Sequence, residues 1–222
     1  MSSISNWLTS SIGKKFIMAL TGLLLILFLV VHLINNIFLF IGPEMFNNNV
    51  EMLDGIKPLI RVVEVVLAIL FIYHAYNALT LWWSNKQANP DKYAINGSKE
   101  NSTLYSRWMV ISGTIILIFL LVHLATLWVT YNFGMEGSEE FYEVIYNLFS
   151  NPLWALFYLV VMILLGFHMN HAFQSAFQTM GWNHKKYFPL VQKIGTAIAV
   201  IFTIGFGSIP IYFFLLSLGG KG

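Results

Sequence analysis

Five of the six histidines lie inside long apolar stretches, where ionisable side chains are costly and usually have a function. They are His32, His74, His123, His168 and His171, whereas His184 lies in a polar segment. Imidazole nitrogens are common ligands of haem iron and of other metals. The chain has no cysteine, which excludes iron–sulfur clusters, covalent c-type haem attachment and disulfides within it. A metal centre in this chain must therefore use the histidines.

Four of these histidines occupy matching positions, each 16 or 17 residues after the residue that precedes its apolar stretch. The pairs are His32 after Lys15, His74 after Pro58, His123 after Arg107 and His168 after Pro152. Membrane helices alternate in direction, so His32 and His123 should share an outer depth and His74 and His168 an inner depth, about 9 Å apart. Two histidines at one depth can ligate a haem iron from opposite sides, whereas zinc prefers three or four ligands. The spacing predicts two bis-histidine b haems. The alternative is that the histidines serve only in helix packing or a proton relay.

Each of the four stretches also carries a polar residue three positions after its histidine. These residues are Asn35, Asn77, Thr126 and His171. They are neighbours of the histidines on the same helix face, and we predict that they hydrogen-bond haem propionates or brace the ligand rings. Hydrogen bonding between helices is an equal alternative. His171 is accordingly predicted not to be an axial ligand. Gly22 and Gly113 lie ten residues before the outer histidines and could face the other haem, although ordinary helix packing also explains them.

The composition predicts that these stretches cross a membrane. The chain of 222 residues is 57% hydrophobic and only 10% charged, whereas a soluble domain has about 25% charged residues. Five stretches reach the ~20 apolar residues that a spanning helix needs. They are Phe16–Ile41, Leu59–Trp83, Trp108–Tyr131, Leu153–Met180 and Ile194–Leu218. We predict an all-α fold, one domain over residues 1–222, with five transmembrane helices of which the first four enclose the two haems. The sequence shows no internal repeat, and the net charge of +2 does not indicate a nucleic-acid partner.

The loops predict the orientation of the bundle. Nine of the twelve basic residues fall on one side: Lys14, Lys15, Lys86, Lys92, Lys99, Arg107, Lys185, Lys186 and Lys193. Basic loops stay in the cytoplasm, so the N-terminus is predicted to be cytoplasmic and the C-terminus to lie outside. On the outer side, the apolar spacing within residues 136–149 predicts an amphipathic helix on the membrane surface.

The segment "FHMNHAFQSAFQTMG", which begins at Phe167, resembles a known family. Together with five helices and one histidine on each of the first four, it is similar to the two-haem cytochrome b membrane anchor of succinate:quinone oxidoreductases and fumarate reductases. More specifically, the chain is similar to the single-chain type that works with menaquinone. The resemblance implies axial ligands at His32 and His123 for the distal haem and at His74 and His168 for the proximal haem.

The resemblance also implies partners and a location. An FAD flavoprotein that interconverts succinate and fumarate, and an iron–sulfur protein, would bind on the cytoplasmic side of a bacterial inner membrane. In such a succinate dehydrogenase, which would join the tricarboxylic acid cycle to the respiratory electron transport chain, the dicarboxylate chemistry would belong to the flavoprotein. The present chain would be the quinone-reactive subunit, and the complex could form a dimer of heterotrimers. One branch of the family has a glutamate two residues before the fourth ligand, where this chain has Gly166, so a proton path there is in doubt.

A quinone site is predicted at the outer end of the bundle. A quinone needs an apolar slot, hydrogen bonds to its two carbonyls and a group that exchanges protons. The candidates are Glu44, Glu51, Arg61 and Trp128. Two other functions remain open: the two-haem cytochrome of a hydrogenase or formate dehydrogenase, and a membrane transporter without haem.

Overall fold

A computed structural model describes residues 6–7, 9–87, 104–133 and 140–219. Its principal helices are α1 (Ser11–Ile37), α2 (Pro43–Asp54), α3 (Lys57–Gln87), α4 (Leu104–His123), α5 (Phe141–Phe149), α6 (Pro152–Thr179) and α7 (Phe188–Leu218). Helix α4 continues through a π-helical segment, Leu124–Val129, into a last α-helical turn, Thr130–Phe133. The described residues form helices and their connections, which confirms the all-α prediction.

Five of these helices are long and apolar enough to cross a membrane. The spans are Ser11–Phe40, Lys57–Gln87, Trp108–Phe133, Pro152–Thr179 and Phe188–Leu218. The predicted number is therefore confirmed, although most spans extend several residues beyond their predicted ends. Apolar residues alone defined the predicted ends, whereas the helices continue through flanking polar residues such as Ser84 and Lys86. Lys92 and Lys99, in the inner loop, and Glu136 and Glu139, in an outer loop, lie outside the described residues.

The first four spanning helices, α1, α3, α4 and α6, form a ring in which the helices of each predicted histidine pair lie across from each other. Helix α1 packs against α3 on one side and α6 on the other, and α6 also packs against α4. A smaller contact between α3 and α4 closes the ring. Helices α1 and α4 are thus diagonal, as are α3 and α6. This arrangement places one histidine of each predicted pair on each end of a diagonal.

Helix α7 covers one side of this ring and makes its most extensive contact with α6. Glycines allow the close approach. A Cβ atom at Gly166 would lie 1.9 Å from the Thr203 hydroxyl oxygen, and one at Gly205 would lie 2.8 Å from a methyl group of Leu33. The space beside Gly166 is therefore filled by α7. Residue 166 is a packing contact in this chain and leaves no room for a longer side chain.

Two short helices close the outer end of the bundle. Helix α5 packs Tyr142, Ile145 and Phe149 into the core, so it lies against the protein in addition to having the predicted amphipathic pattern. Helix α2 was not predicted, because its apolar residues are few. It begins directly after Gly42, whose φ of 134° is accessible to glycine but strained for other residues.

Candidate functional site

His32 and His123 face each other across the bundle. Their ring centroids are 6.0 Å apart and the ring planes are at 89°. Two imidazoles bound to one metal from opposite sides, with bonds of about 2 Å to the ring nitrogens, have centroids roughly 6 Å apart. The separation of this outer pair therefore fits ligation of a single iron between the two rings, as the depth argument predicted.

Aromatic side chains surround the outer pair. Phe28 stacks on the His32 ring at 5.3 Å, and Phe206 of α7 approaches the same ring at 5.6 Å. Phe119 and Tyr158 lie 5.6 Å and 6.0 Å from the His123 ring. Such an apolar lining excludes water and suits the faces of a large planar group.

Thr126 acts on the outer pair through a neighbour. Its hydroxyl donates to the Val122 carbonyl at 2.9 Å and shares a hydrogen bond of 3.0 Å with the Tyr158 hydroxyl, which holds Tyr158 beside His123. Asn36, rather than Asn35, donates to the His32 carbonyl at 2.7 Å. Among the described residues, Nδ1 of His123 is buried without a hydrogen-bond partner.

The inner histidines each contact a hydroxyl on an adjacent helix. Nδ1 of His74 lies 3.2 Å from Oγ1 of Thr21 on α1, and Nδ1 of His168 lies 3.3 Å from Oγ of Ser112 on α4. The next residue is glycine in both places. A Cβ atom at Gly22 or at Gly113 would lie 3.3 Å from Cε1 of the facing histidine. Both glycines thus face the inner histidines, as their sequence offset suggested.

The buried polar side chains of the described chain are concentrated at this inner level. They are Thr21, Asn77 and Ser112, with exposed fractions of 5%, 2% and 8%. The Asn77 side chain has an unpartnered Nδ2 among the described residues, and Asn77 lies one turn beyond His74. Burying a donor without a partner costs free energy. An acceptor that binds Nδ2, such as a haem carboxylate, would remove that cost. His171 lies one turn from His168 on α6 and is partly buried.

The two histidine levels are farther apart than the sequence predicted. Thr21 shares the depth of His74 and lies eleven residues before His32; Ser112 shares the depth of His168 and lies eleven residues before His123. At 1.5 Å per residue the levels differ by about 16 Å rather than about 9 Å. The predicted separation of about 9 Å was wrong because it assumed that about 26 residues separate the two ends of each stretch in depth. The residues that flank opposite ends are in fact closer in depth than that.

A polar cluster occupies the outer ends of α3 and α4. Arg61 donates to Glu64 at 2.7 Å and to the side-chain oxygen of Asn132, and its guanidinium lies 5.4 Å from the centre of the Trp128 ring. The indole of Trp128 donates to the second oxygen of Glu64 at 2.8 Å. We call Arg61, Glu64, Trp128 and Asn132 the outer polar cluster. Trp128 lies in the π-helical segment that begins directly after His123. Irregularities of this type are frequent at functional sites.

The other two predicted quinone residues lie elsewhere. Glu44 and Glu51 are exposed on α2, and the hydrogen bonds and ion pairs found among the described residues include neither side chain. Asp54, which follows them, accepts from the Tyr131 hydroxyl at 2.8 Å and pairs with Lys57 at 3.3 Å. The structure thus brings Arg61 and Trp128 together but does not bring Glu44 or Glu51 to them.

Sequence comparison bears on these sites. The chain is 27% identical over 183 residues to the succinate dehydrogenase cytochrome b558 subunit of Bacillus subtilis, a match that covers 79% of this chain and 81% of that protein. The chain resembles a succinate dehydrogenase cytochrome b anchor. That similarity confirms the resemblance seen in the histidine pattern and in the segment around His168. No family model and no solved structure matches the chain.

Several site residues of this cytochrome b-like chain were not predicted from its sequence. Thr21 and Ser112 are ordinary hydroxyl residues in apolar helices, and only their equal eleven-residue offset from His32 and His123 could have marked them. Glu64 had a clearer signal, because it is an acid inside a predicted membrane span. In the described parts of the chain, histidines and acidic residues form no group of three or more that could hold a metal ion.

Proposed function

We propose that this chain is the membrane anchor and electron-transfer subunit of a succinate:menaquinone oxidoreductase or fumarate reductase. It carries electrons between an iron–sulfur partner and quinone through two b haems, one at His32 and His123 and one at His74 and His168. The observation that carries the proposal is the facing of His32 and His123 at 6.0 Å across the bundle. The similarity to the cytochrome b558 subunit supports the same function.

The residues around each pair suit a haem. A b haem held at each level would supply a one-electron carrier. The imidazoles would hold the haem iron, and the rings of Phe28, Phe119 and Phe206 would exclude water at the outer level. At the inner level Nδ2 of Asn77, which has no partner in the part of the chain that the structure describes, would donate a hydrogen bond to a haem propionate. His171 would lie beside the inner haem without binding its iron.

We place the quinone at the outer polar cluster. The cluster offers hydrogen-bond donors to quinone carbonyls in Arg61 and Trp128, and a carboxylate, Glu64, for proton exchange. An ionisable acid within a membrane helix is a functional candidate because burying it is costly. Glu44 and Glu51 remain candidates from the sequence, but their exposure on α2 favours Glu64 as the acid at this site.

The soluble partners would bind at the opposite end of the bundle. Lys86, Lys185 and Lys186 are exposed there, beside Trp82 and Trp182. The distribution of basic residues that indicates a cytoplasmic side also provides a charged surface for an iron–sulfur subunit. Electrons would enter at this end, near the inner histidine pair.

The visible absorption spectrum of the purified chain tests the proposal. We expect reducible b-type bands and two haems per chain in a haem assay. A chain without such bands would fit the transporter alternative and overturn the proposal. Isolation of the complex discriminates the other alternative, since co-purification with a hydrogenase or formate dehydrogenase catalytic subunit, rather than a succinate-oxidising flavoprotein, would assign the chain to that class.

A further inference from the structure

The inner histidines are held in the same way by two different helices. On α1, Thr21 contacts Nδ1 of His74, and on α4, Ser112 contacts Nδ1 of His168. In both cases the next residue is a glycine that lies against Cε1 of the same ring. The two halves of the bundle therefore present the same hydroxyl–glycine pair to an imidazole on a neighbouring helix.

The hydrogen bonds of each hydroxyl determine its role toward the imidazole. The Thr21 hydroxyl donates to the Ile17 carbonyl at 2.8 Å, and the Ser112 hydroxyl donates to the Met109 carbonyl at 3.1 Å. Each hydroxyl has a single hydrogen, so its oxygen is left to accept a bond from the histidine. Nδ1 of His74 and of His168 then carries the hydrogen, and the lone pair of each ring is on Nε2.

A ring nitrogen with a free lone pair is the form of histidine that binds a metal. An acceptor at Nδ1 fixes both the tautomer and the orientation of such a ligand, and it makes the ligand a stronger electron donor. A stronger donor stabilises the oxidised iron and lowers its midpoint potential. The outer pair differs, since Nδ1 of His123 has no partner among the described residues.

We propose that Thr21 and Ser112 are positioning residues for the inner haem, which orient His74 and His168 as Nε2 ligands and lower the midpoint potential of that haem relative to a site without them. This inference rests on the proposed function, because it requires a haem between the inner histidines. Among the described residues Nδ1 of His123 has no such partner, so the two haems would be tuned by different surroundings.

The test is a redox titration of the purified full-length chain, with electron paramagnetic resonance spectra of its oxidised haems. Thr21→Val and Ser112→Ala remove one hydroxyl each, and the double variant removes both. We expect the haems to be retained and the midpoint potential of the inner haem to shift upward, more in the double variant, with a changed resonance signal for that haem alone. Thr21→Ser and Ser112→Thr keep a hydroxyl and should restore wild-type behaviour.

A matched control is Thr114→Val. Thr114 is on α4 two residues from Ser112, but it is exposed and donates only to the Val110 carbonyl of its own helix. This variant should leave both potentials unchanged. If Thr21→Val destabilises the inner site so far that its haem is lost, recovery of that haem in Thr21→Ser still supports the inference, and loss in both variants overturns it.

The possible failures are distinguishable. Absence of haem from the unmodified chain would overturn the proposed function and this inference with it. The inference alone would be overturned if Thr21→Val, Ser112→Ala and the double variant all kept two haems with unchanged midpoint potentials and resonance signals. A shift of the outer haem in place of the inner one would also overturn it, because the hydroxyls would then act on a different pair.

Discussion

The imidazole ring of His32 lies 6.0 Å from that of His123, although 91 positions of sequence separate the two residues. The helices that carry them, α1 and α4, are not adjacent in the ring. The contact exists because α6 packs against both helices and places them across the ring. The relative position of the two histidines is therefore set by α6, which carries neither of them.

Replacement of His123 should remove one haem selectively. His123→Ala deletes a ligand of the outer pair, while His74 and His168, about 16 Å away along the bundle, keep their surroundings. We expect one haem per chain by haem assay and the loss of one of two redox transitions. Retention of both haems at full occupancy would contradict the pairing, and His184→Ala, in a polar loop, serves as the control.

His171 should be dispensable for haem binding. His171 lies one helical turn from His168. It is His168 whose Nδ1 contacts the Ser112 hydroxyl, the contact that would orient a ligand. His171→Gln should retain two haems, with at most a shifted inner potential, and His168→Gln should lose the inner one. The opposite result in the two variants, measured by the same haem assay, would exchange the roles of the two histidines.

Glu64 should be required for quinone turnover. Glu64→Gln keeps the size of the side chain but removes the carboxylate, and loss of a proton-transferring group commonly costs roughly 10²-fold or more in rate. We expect quinone reduction by succinate to fall by about that factor, while both haems remain and the soluble subunits still oxidise succinate with an artificial acceptor.

Glu44→Gln and Glu51→Gln provide the comparison for this experiment. Both side chains are exposed on α2, and we expect substantially smaller losses of quinone turnover than in Glu64→Gln. A large loss in either α2 variant, with normal turnover in Glu64→Gln, would move the proton-exchanging group to α2. Full activity in all three would move the quinone site away from the outer end.

Charge reversal at the inner end should weaken binding of the soluble subunits. The triple variant Lys86→Glu, Lys185→Glu, Lys186→Glu changes an exposed basic surface, so affinity should fall and its dependence on salt concentration should diminish. Lys57→Glu makes one such change at the outer end and should leave affinity unaltered. Equal affinity of the triple variant and the wild type, with both haems present, would contradict docking at this surface.

Gly166 should tolerate no larger side chain while Thr203 is present. In Gly166→Ala the new Cβ would lie 1.9 Å from the Thr203 hydroxyl oxygen, and overpacking of this kind costs about 1–3 kcal/mol. We expect a lower midpoint of thermal unfolding in detergent. Thr203→Ala removes the hydroxyl and should recover much of the loss in the double variant, whereas additive losses would show that the two residues are not coupled.

The sequence predicted the features that depend on position along a single helix. The five spans and the matched positions of four histidines follow from length, hydrophobicity and spacing, whereas the spacing of Gly22 and Gly113 left ordinary helix packing equally open. The hydroxyl contacts of Thr21 and Ser112 could not be predicted in the same way, because they depend on which helices are adjacent and on their relative depth. Glu64 was recognisable as a membrane acid, but its bonds to Arg61 and Trp128 required the contact between α3 and α4.

The division of ligands between the two halves of the bundle has a consequence for assembly. The first antiparallel pair, α1 and α3, supplies His32 and His74, and the second, α4 and α6, supplies His123 and His168. With the proposed ligation, each half would hold one ligand for each iron and would complete no site alone. The outer site would be complete once the third spanning helix has entered the bilayer, and the inner site only after the fourth. Two bound haems would then act as cross-links between the halves, so that their removal loosens the association of two helical hairpins before it unfolds either one.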